Sequence, residues 1–118
     1  MERQLSREKG GTAMAVKVLI TRKFKPDKIE QANEFLMKLR AEATLCKGYV
    51  SGQTLVSADE PNKVVVISTW NSRKRWEEWV NDSKRKQFHD RMNEMLVAPE
   101  EVEVFFVGER TPEWVDMA

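Results

Sequence analysis

One cysteine, one histidine and one tyrosine stand among 118 residues. Cys46 therefore has no partner for an internal disulfide, and a cysteine-rich zinc site is excluded. With His89 as the single histidine, neither a two-histidine metal site nor a Ser-His-Asp grouping can be assembled. The five glycines are too scattered to form a phosphate-cradling loop. No apolar run approaches the roughly 20 residues that a membrane helix needs. The N-terminus is charged and lacks the apolar core of a signal peptide. Neither sign of charge is in excess, since 20 Lys and Arg face 19 Asp and Glu for a net charge of +1. Nothing global thus favours nucleic acid or an anionic membrane as partner. The length suits one domain, and the cysteine usage suits a reducing, cytoplasmic setting.

What is present is concentrated. Three of the four tryptophans, Trp70, Trp76 and Trp79, fall between Trp70 and Leu96, the stretch that also holds His89. Around it the chain reads in order. Residues 1–13 are polar with a Gly10-Gly11 pair and read as a flexible extension, so that Met14 is a plausible start. Ala15 to Lys25 alternates with period two, Val16, Val18, Ile20 and Phe24 on one side, and Arg22 interrupts the apolar side. Pro26-Asp27 stops this strand, and Asp27 with Glu30 has the form of a capping box. Ile29, Ala32, Phe35, Leu36, Leu39, Ala43 and Cys46 then recur at helical spacing up to Gly48, with Cys46 read as a small buried hydrophobe.

Tyr49 to Ser57 and Lys63 to Trp70 predict two strands joined by the turn Ala58-Asp59-Glu60-Pro61-Asn62. The run Val64, Val65, Val66, Ile67 has no alternation and marks the later strand as central. Asn71-Ser72 caps a short helix and Asn81-Asp82-Ser83 a second one, which runs to about Leu96 before Ala98-Pro99. Glu101 to Gly108 is the fourth strand, and residues 110–118 form a tail carrying Trp114. The basic runs Arg73-Lys74-Arg75 and Lys84-Arg85-Lys86 are interleaved with acidic residues and read as solvated helix faces.

The order is β-α-β-β-α-β, a ferredoxin-like α+β fold with a four-stranded antiparallel sheet and helices on one face, spanning residues 14–109. The RNA-recognition module shares that order, but Lys47-Gly48-Tyr49-Val50-Ser51 does not continue its aromatic signature. Apolar residues on both faces of the first, third and fourth strands would leave one face as an exposed patch, which predicts a homodimer packed sheet to sheet.

Gly48-Tyr49, Asp59-Glu60-Pro61-Asn62, Ser68-Thr69-Trp70-Asn71-Ser72, Trp79 and Phe88-His89 together resemble the antibiotic biosynthesis monooxygenase (ABM) superfamily, over about Ala15 to Gly108. The resemblance implies a dimeric α+β barrel and oxygenation of a hydrophobic, planar or aromatic small molecule in a cavity between helices and sheet. It also implies chemistry that needs no cofactor, the electrons coming from a phenol or quinol substrate. The segment WNSRKRWEEWVNDSKRKQFH is similar to the heme-degrading branch, in which a helix tryptophan precedes an iron-ligating histidine by ten residues, as Trp79 precedes His89. That branch has a first-strand asparagine where this chain has Thr21.

On this reading His89 and Trp79 are the candidate catalytic residues, with His89 as base, or as the metal ligand where heme is bound. Thr21, Arg22, Tyr49, Trp70, Trp76, Phe88 and Met92 are candidates for substrate binding. Either Thr21 or Arg22 should face the helices, and Arg22 there would clamp an anion. Tyr49 is placed at the rim and Trp76 half exposed or at an interface. The bend at Asn81 to Ser83 would let Trp79 and His89 face one cavity, since ten residues on an unbroken helix place them on different faces. A module that only binds a ligand or dimerises is the alternative class, favoured by a purely apolar cavity.

Overall fold

A computed structural model describes residues 14–108, and both the N-terminal extension and the tail with Trp114 lie outside them. Strands β1 (Val16–Lys23), β2 (Tyr49–Val56), β3 (Lys63–Trp70) and β4 (Glu101–Phe106) form one sheet in the order β2-β3-β1-β4, antiparallel throughout. Helices α1 (Ile29–Thr44), α2 (Arg73–Val80) and α3 (Ser83–Asn93) carry the connections. This is the expected ferredoxin-like fold, with β3 central and its limits as the sequence predicted.

The alternation in β1 decides the layering. Val16, Val18 and Ile20 are buried beneath the helices with Val64 and Trp70 of β3 and Met92 of α3. Trp70, Phe24, Met92, Val16 and Val18 are the largest fully buried side chains. Each aliphatic burial of this kind contributes about 1.5–3 kcal/mol before entropy is counted.

Both caps in the tryptophan-rich stretch form. The Ser72 hydroxyl accepts from Arg75 N at 3.1 Å, and Asp82 Oδ1 accepts from Lys84 N at 2.8 Å and Arg85 N at 3.3 Å. The chain therefore bends between α2 and α3, as Asn81-Asp82-Ser83 predicted. Gly48 has φ 89°, the left-handed conformation that favours glycine. An added Cβ there would also strike the Arg75 side chain.

Three expectations need correction. Asp27 and Glu30 form no capping box: Pro26–Lys28 is a 3-10 turn, and α1 starts from Lys28 without a side-chain cap. Pro26, with its fixed φ and no N–H to satisfy, opens this turn in place of a capping side chain. α3 ends at Asn93 rather than near Leu96, because the next backbone groups bond to the end of β1. Lys25 N donates to Met95 O and Val97 N to Lys23 O, at 2.8 and 2.7 Å. Trp76 is neither half exposed nor at the surface but buried in the core.

Candidate functional site

Trp70 is the hub of the helix-side aromatic cluster. Its indole N–H donates to the buried Ser68 hydroxyl at 3.1 Å, which satisfies the one polar atom that burial would orphan. Tyr49 meets it edge-on (5.4 Å between centroids, 85° between planes), Trp76 meets it at 5.9 Å, and Trp79 stacks on it at 6.4 Å. These four rings arrive from three elements: β2, the end of β3, and α2. A β-bulge between Tyr49 and Ser51 turns Tyr49 onto the Trp70 face.

The rings wall a cleft of about 70 Å³ between α1 and the sheet. Its polar lining comes from Arg22, Arg40, Gln53, Thr54, Ser68 and Arg85. Arg40 donates from Nη2 to Gly52 O at 2.7 Å, tying α1 to β2. Gly52 leaves room for the phenol ring, since a Cβ there would collide with the Tyr49 hydroxyl. Gly52→Ala is expected to push Tyr49 off the Trp70 edge and destabilise the fold by about 1–3 kcal/mol. A thermal melt beside near-UV circular dichroism would register both effects, and a variant unchanged in both would refute the contact.

Of the sequence candidates, the cleft brings together Arg22, Tyr49, Trp70, Trp76 and Trp79. The others lie elsewhere. Thr21 pairs with Val65 and Glu101 on the face away from the helices. Met92 is fully buried core. Phe88 packs on Phe35 of α1 at 6.5 Å, in a separate groove with Lys38, Gln87 and Arg91. His89 is on α3 but does not line the cleft, in spite of the bend.

Arg22 and His89 meet instead at Glu100, a residue that sequence reasoning passed over. Arg22 Nε donates to Glu100 Oε1 at 2.8 Å, and His89 Nε2 lies 2.7 Å from Glu100 Oε2. Burial alone would raise the Glu100 pKa. The hydrogen bond from His89 and the charge of Arg22 outweigh it and hold the group down at about 2. Burial pushes the Arg22 guanidinium below its ordinary value, and Glu100 opposes that. The other histidine nitrogen, Nδ1, is 3.3 Å from Asn93 Nδ2. With Nε2 directed at Glu100, His89 presents Nδ1 to Asn93.

Arg85 is the second missed residue. It lies inside a basic run, yet it falls three residues before Phe88 and seven before Met92, on the buried stripe of α3. That spacing was the available signal. Its guanidinium sits 5.6 Å over the Trp76 ring. Burial lowers its pKa, Glu100 raises it, and Arg22 lowers it further. The lone thiol, Cys46, is free, and burial followed by the charges of Asp82 and Glu42 pushes its pKa up, away from reactivity. Among the described residues no group of three or more His, Cys, Asp or Glu side chains is placed to hold a metal ion, and no helix is long and apolar enough to cross a membrane.

The family model described as antibiotic biosynthesis monooxygenase matches residues 15–91, from the start of β1 into α3. The chain belongs to this family. The ABM fold recurs in solved structures. SnoaB, a cofactor-independent oxygenase from Streptomyces nogalater solved in a mutant form, superposes with a TM-score of 0.73 at 15% identity, over 84% of this chain and 97% of its own. A Nitrosomonas europaea protein bearing the ABM name gives 0.77 at 17% identity, over 85% and 96%. Rv0793 from Mycobacterium tuberculosis gives 0.74 at 19%, over 83% and 99%. At such identities these likenesses establish the ABM fold and not a substrate. No curated protein matches the sequence.

Proposed function

We propose that this ABM protein is a monooxygenase that takes a hydrophobic, planar aromatic substrate into the cleft between helices and sheet and oxygenates it without a cofactor. The observation that carries the reading is the cleft itself: four aromatic rings beside two buried guanidiniums, Arg22 and Arg85. A flat apolar ring system matches the indoles. The guanidiniums favour the ionised form of a phenol, the electron-rich species that dioxygen can oxidise. The net reaction converts a phenol and dioxygen to a quinone and water. One oxygen atom becomes the new carbonyl, the other leaves as water, and the ring supplies all four electrons. The ABM relative SnoaB, described as cofactor-independent, is consistent with this chemistry. Because Arg22, Arg85 and the Tyr49 hydroxyl make the cleft more than an apolar slot, an enzyme is favoured over a purely binding module.

His89 reaches the cleft only through Glu100 and Arg22, so its role here is to hold that carboxylate and guanidinium in place. Heme fits these residues poorly. Both ring nitrogens of His89 already have partners, and His89 does not share the cleft with Trp79. The active unit is a homodimer. Leu19, Val65 and Ile67, with the exposed Leu55 and Phe105 beside them, form an apolar patch on the sheet face opposite the helices. A free, unactivated thiol suits the cytoplasm.

The test is oxygen uptake with a panel of naphthols and naphthalenediols, with labelled dioxygen to follow the atoms. Saturable uptake above the buffer rate, one labelled oxygen per quinone, and loss of at least about tenfold in Trp79→Ala are expected. Probes that bind the cleft but are never oxidised faster than in buffer would defeat the monooxygenase reading.

A further inference from the structure

Arg85 is more than nine-tenths buried, with 6% of its surface exposed. Among the described arginines, Arg22 has Glu100, Arg73 has Glu77 and Arg75 has Glu78, while Arg40 and Arg91, which have no acidic partner, are exposed. Among the described residues no carboxylate lies within ion-pair distance of Arg85. Glu100, whose charge acts on Arg85, is already engaged: it gives Oε1 to Arg22 and Oε2 to His89. Asp82 bonds the backbone N–H of Arg85 and not its guanidinium. Two guanidiniums and one carboxylate therefore meet at this end of the cleft, and one positive charge is left uncompensated.

That arrangement is costly in two ways. A buried cation without a counter-ion loses hydration that nothing replaces. The neighbouring Arg22 guanidinium also repels it. The ring of Trp76 recovers part of this loss from one side. No fully buried side-chain nitrogen or oxygen among the described residues lacks a partner, so the guanidinium nitrogens of Arg85 open onto the cleft they line. An anion arriving there would meet a planar fork of donors and the field of a second guanidinium. Both terms that now oppose burial of Arg85 would then favour binding.

The geometry points to a substrate that carries a carboxylate on its aromatic scaffold, held by Arg85 while the rings lie among Trp70, Trp76, Trp79 and Tyr49. This rests on the cleft being the substrate site and narrows the substrate class to aromatic acids. The fork of a guanidinium matches the two oxygens of a carboxylate, whereas a phenolate offers one. Arg22 is held at Nε by Glu100 and supplies field more than grip.

The experiment compares 2-naphthoate with 2-naphthamide, its neutral isostere, and with 2-naphthol. Titration calorimetry gives the dissociation constants, and the indole N–H resonances of Trp76 and Trp79 report whether a probe sits in the cleft. Naphthoate is expected to bind wild-type protein at least about tenfold more tightly than naphthamide, as a charge-assisted hydrogen bond implies. In Arg85→Gln the preference should fall to within about twofold while naphthamide binding persists. Arg85→Lys should retain part of the preference, which separates loss of charge from loss of folding. Equal binding of naphthoate and naphthamide by wild type, tighter binding of naphthol than naphthoate, or a preference that survives Arg85→Gln would overturn the assignment and leave the cleft reading standing. Failure of all three probes to shift the indole signals would overturn both.

Discussion

Replacing Glu100 with alanine is expected to lower stability by about 3–5 kcal/mol, the largest effect of any single polar change in this protein. The loss is not the worth of one ion pair. Arg22 is 3% exposed and would be left as a buried cation, and His89 would lose the acceptor at Nε2. For a chain of this size the melting temperature should fall by roughly 10–20 °C. Combining Glu100→Leu with Arg22→Met should recover most of the loss, because two apolar side chains replace a buried pair better than one charge left alone. Single variants within about 1 kcal/mol of wild type would show the pair to be solvated and dispensable.

The same residue sets an acid limit. Its folded pKa, about 2, lies below the ordinary 4.5, so its contribution to stability is complete above pH 4.5 and is lost as the pH falls towards 2. With allowance for partial solvent screening the amount is on the order of 2 kcal/mol. Denaturant unfolding between pH 5 and 2 should show a steep decline in wild type and a shallower one in Glu100→Gln, and parallel curves would dismiss the linkage.

Ile67→Lys is expected to convert the proposed homodimer to a monomer. Ile67 stands near the centre of the uncovered sheet face, opposite Leu19 of β1. In a two-fold interface one substitution acts twice, and here it would bring two ammonium groups into a patch of Leu19, Val65 and their copies. A weakening of about a thousandfold in dimer dissociation constant follows if each copy costs a typical central contact. Light scattering after size exclusion decides it. A wild-type monomer, or a variant that remains dimeric at micromolar concentration, would place the interface elsewhere or nowhere.

The fold was legible because its signals are local. The period of two in β1, the apolar run of β3, the Ser72 and Asp82 caps and the conformation of Gly48 each depend on a few neighbouring residues. The aromatic wall was legible in part for the same reason, since Trp70, Trp76 and Trp79 lie on one connection and its flanking strand. Glu100 was hidden because its partners lie far away in sequence and its own surroundings, a proline and a strand start, say nothing about charge. Arg85 was hidden by company: Lys84 and Lys86 are exposed as a basic run should be, and only the helical stripe distinguishes the residue between them. Arg22, which broke the alternation of β1, is where a local irregularity did announce the site.

Arg22 and Glu100 are 78 positions apart. A ribosome delivers the strand bearing the cation long before it delivers the carboxylate that neutralises it. Until Glu100 emerges, the partly made chain holds the sequences of β1, all three helices and the aromatic wall, but Arg22 has no matching charge. The counter-charge to Arg22 thus comes from a residue that lies beyond every side chain lining the cleft. Closing the β1 edge of the sheet and neutralising Arg22 fall to the same short segment, Glu100 and the strand that follows it.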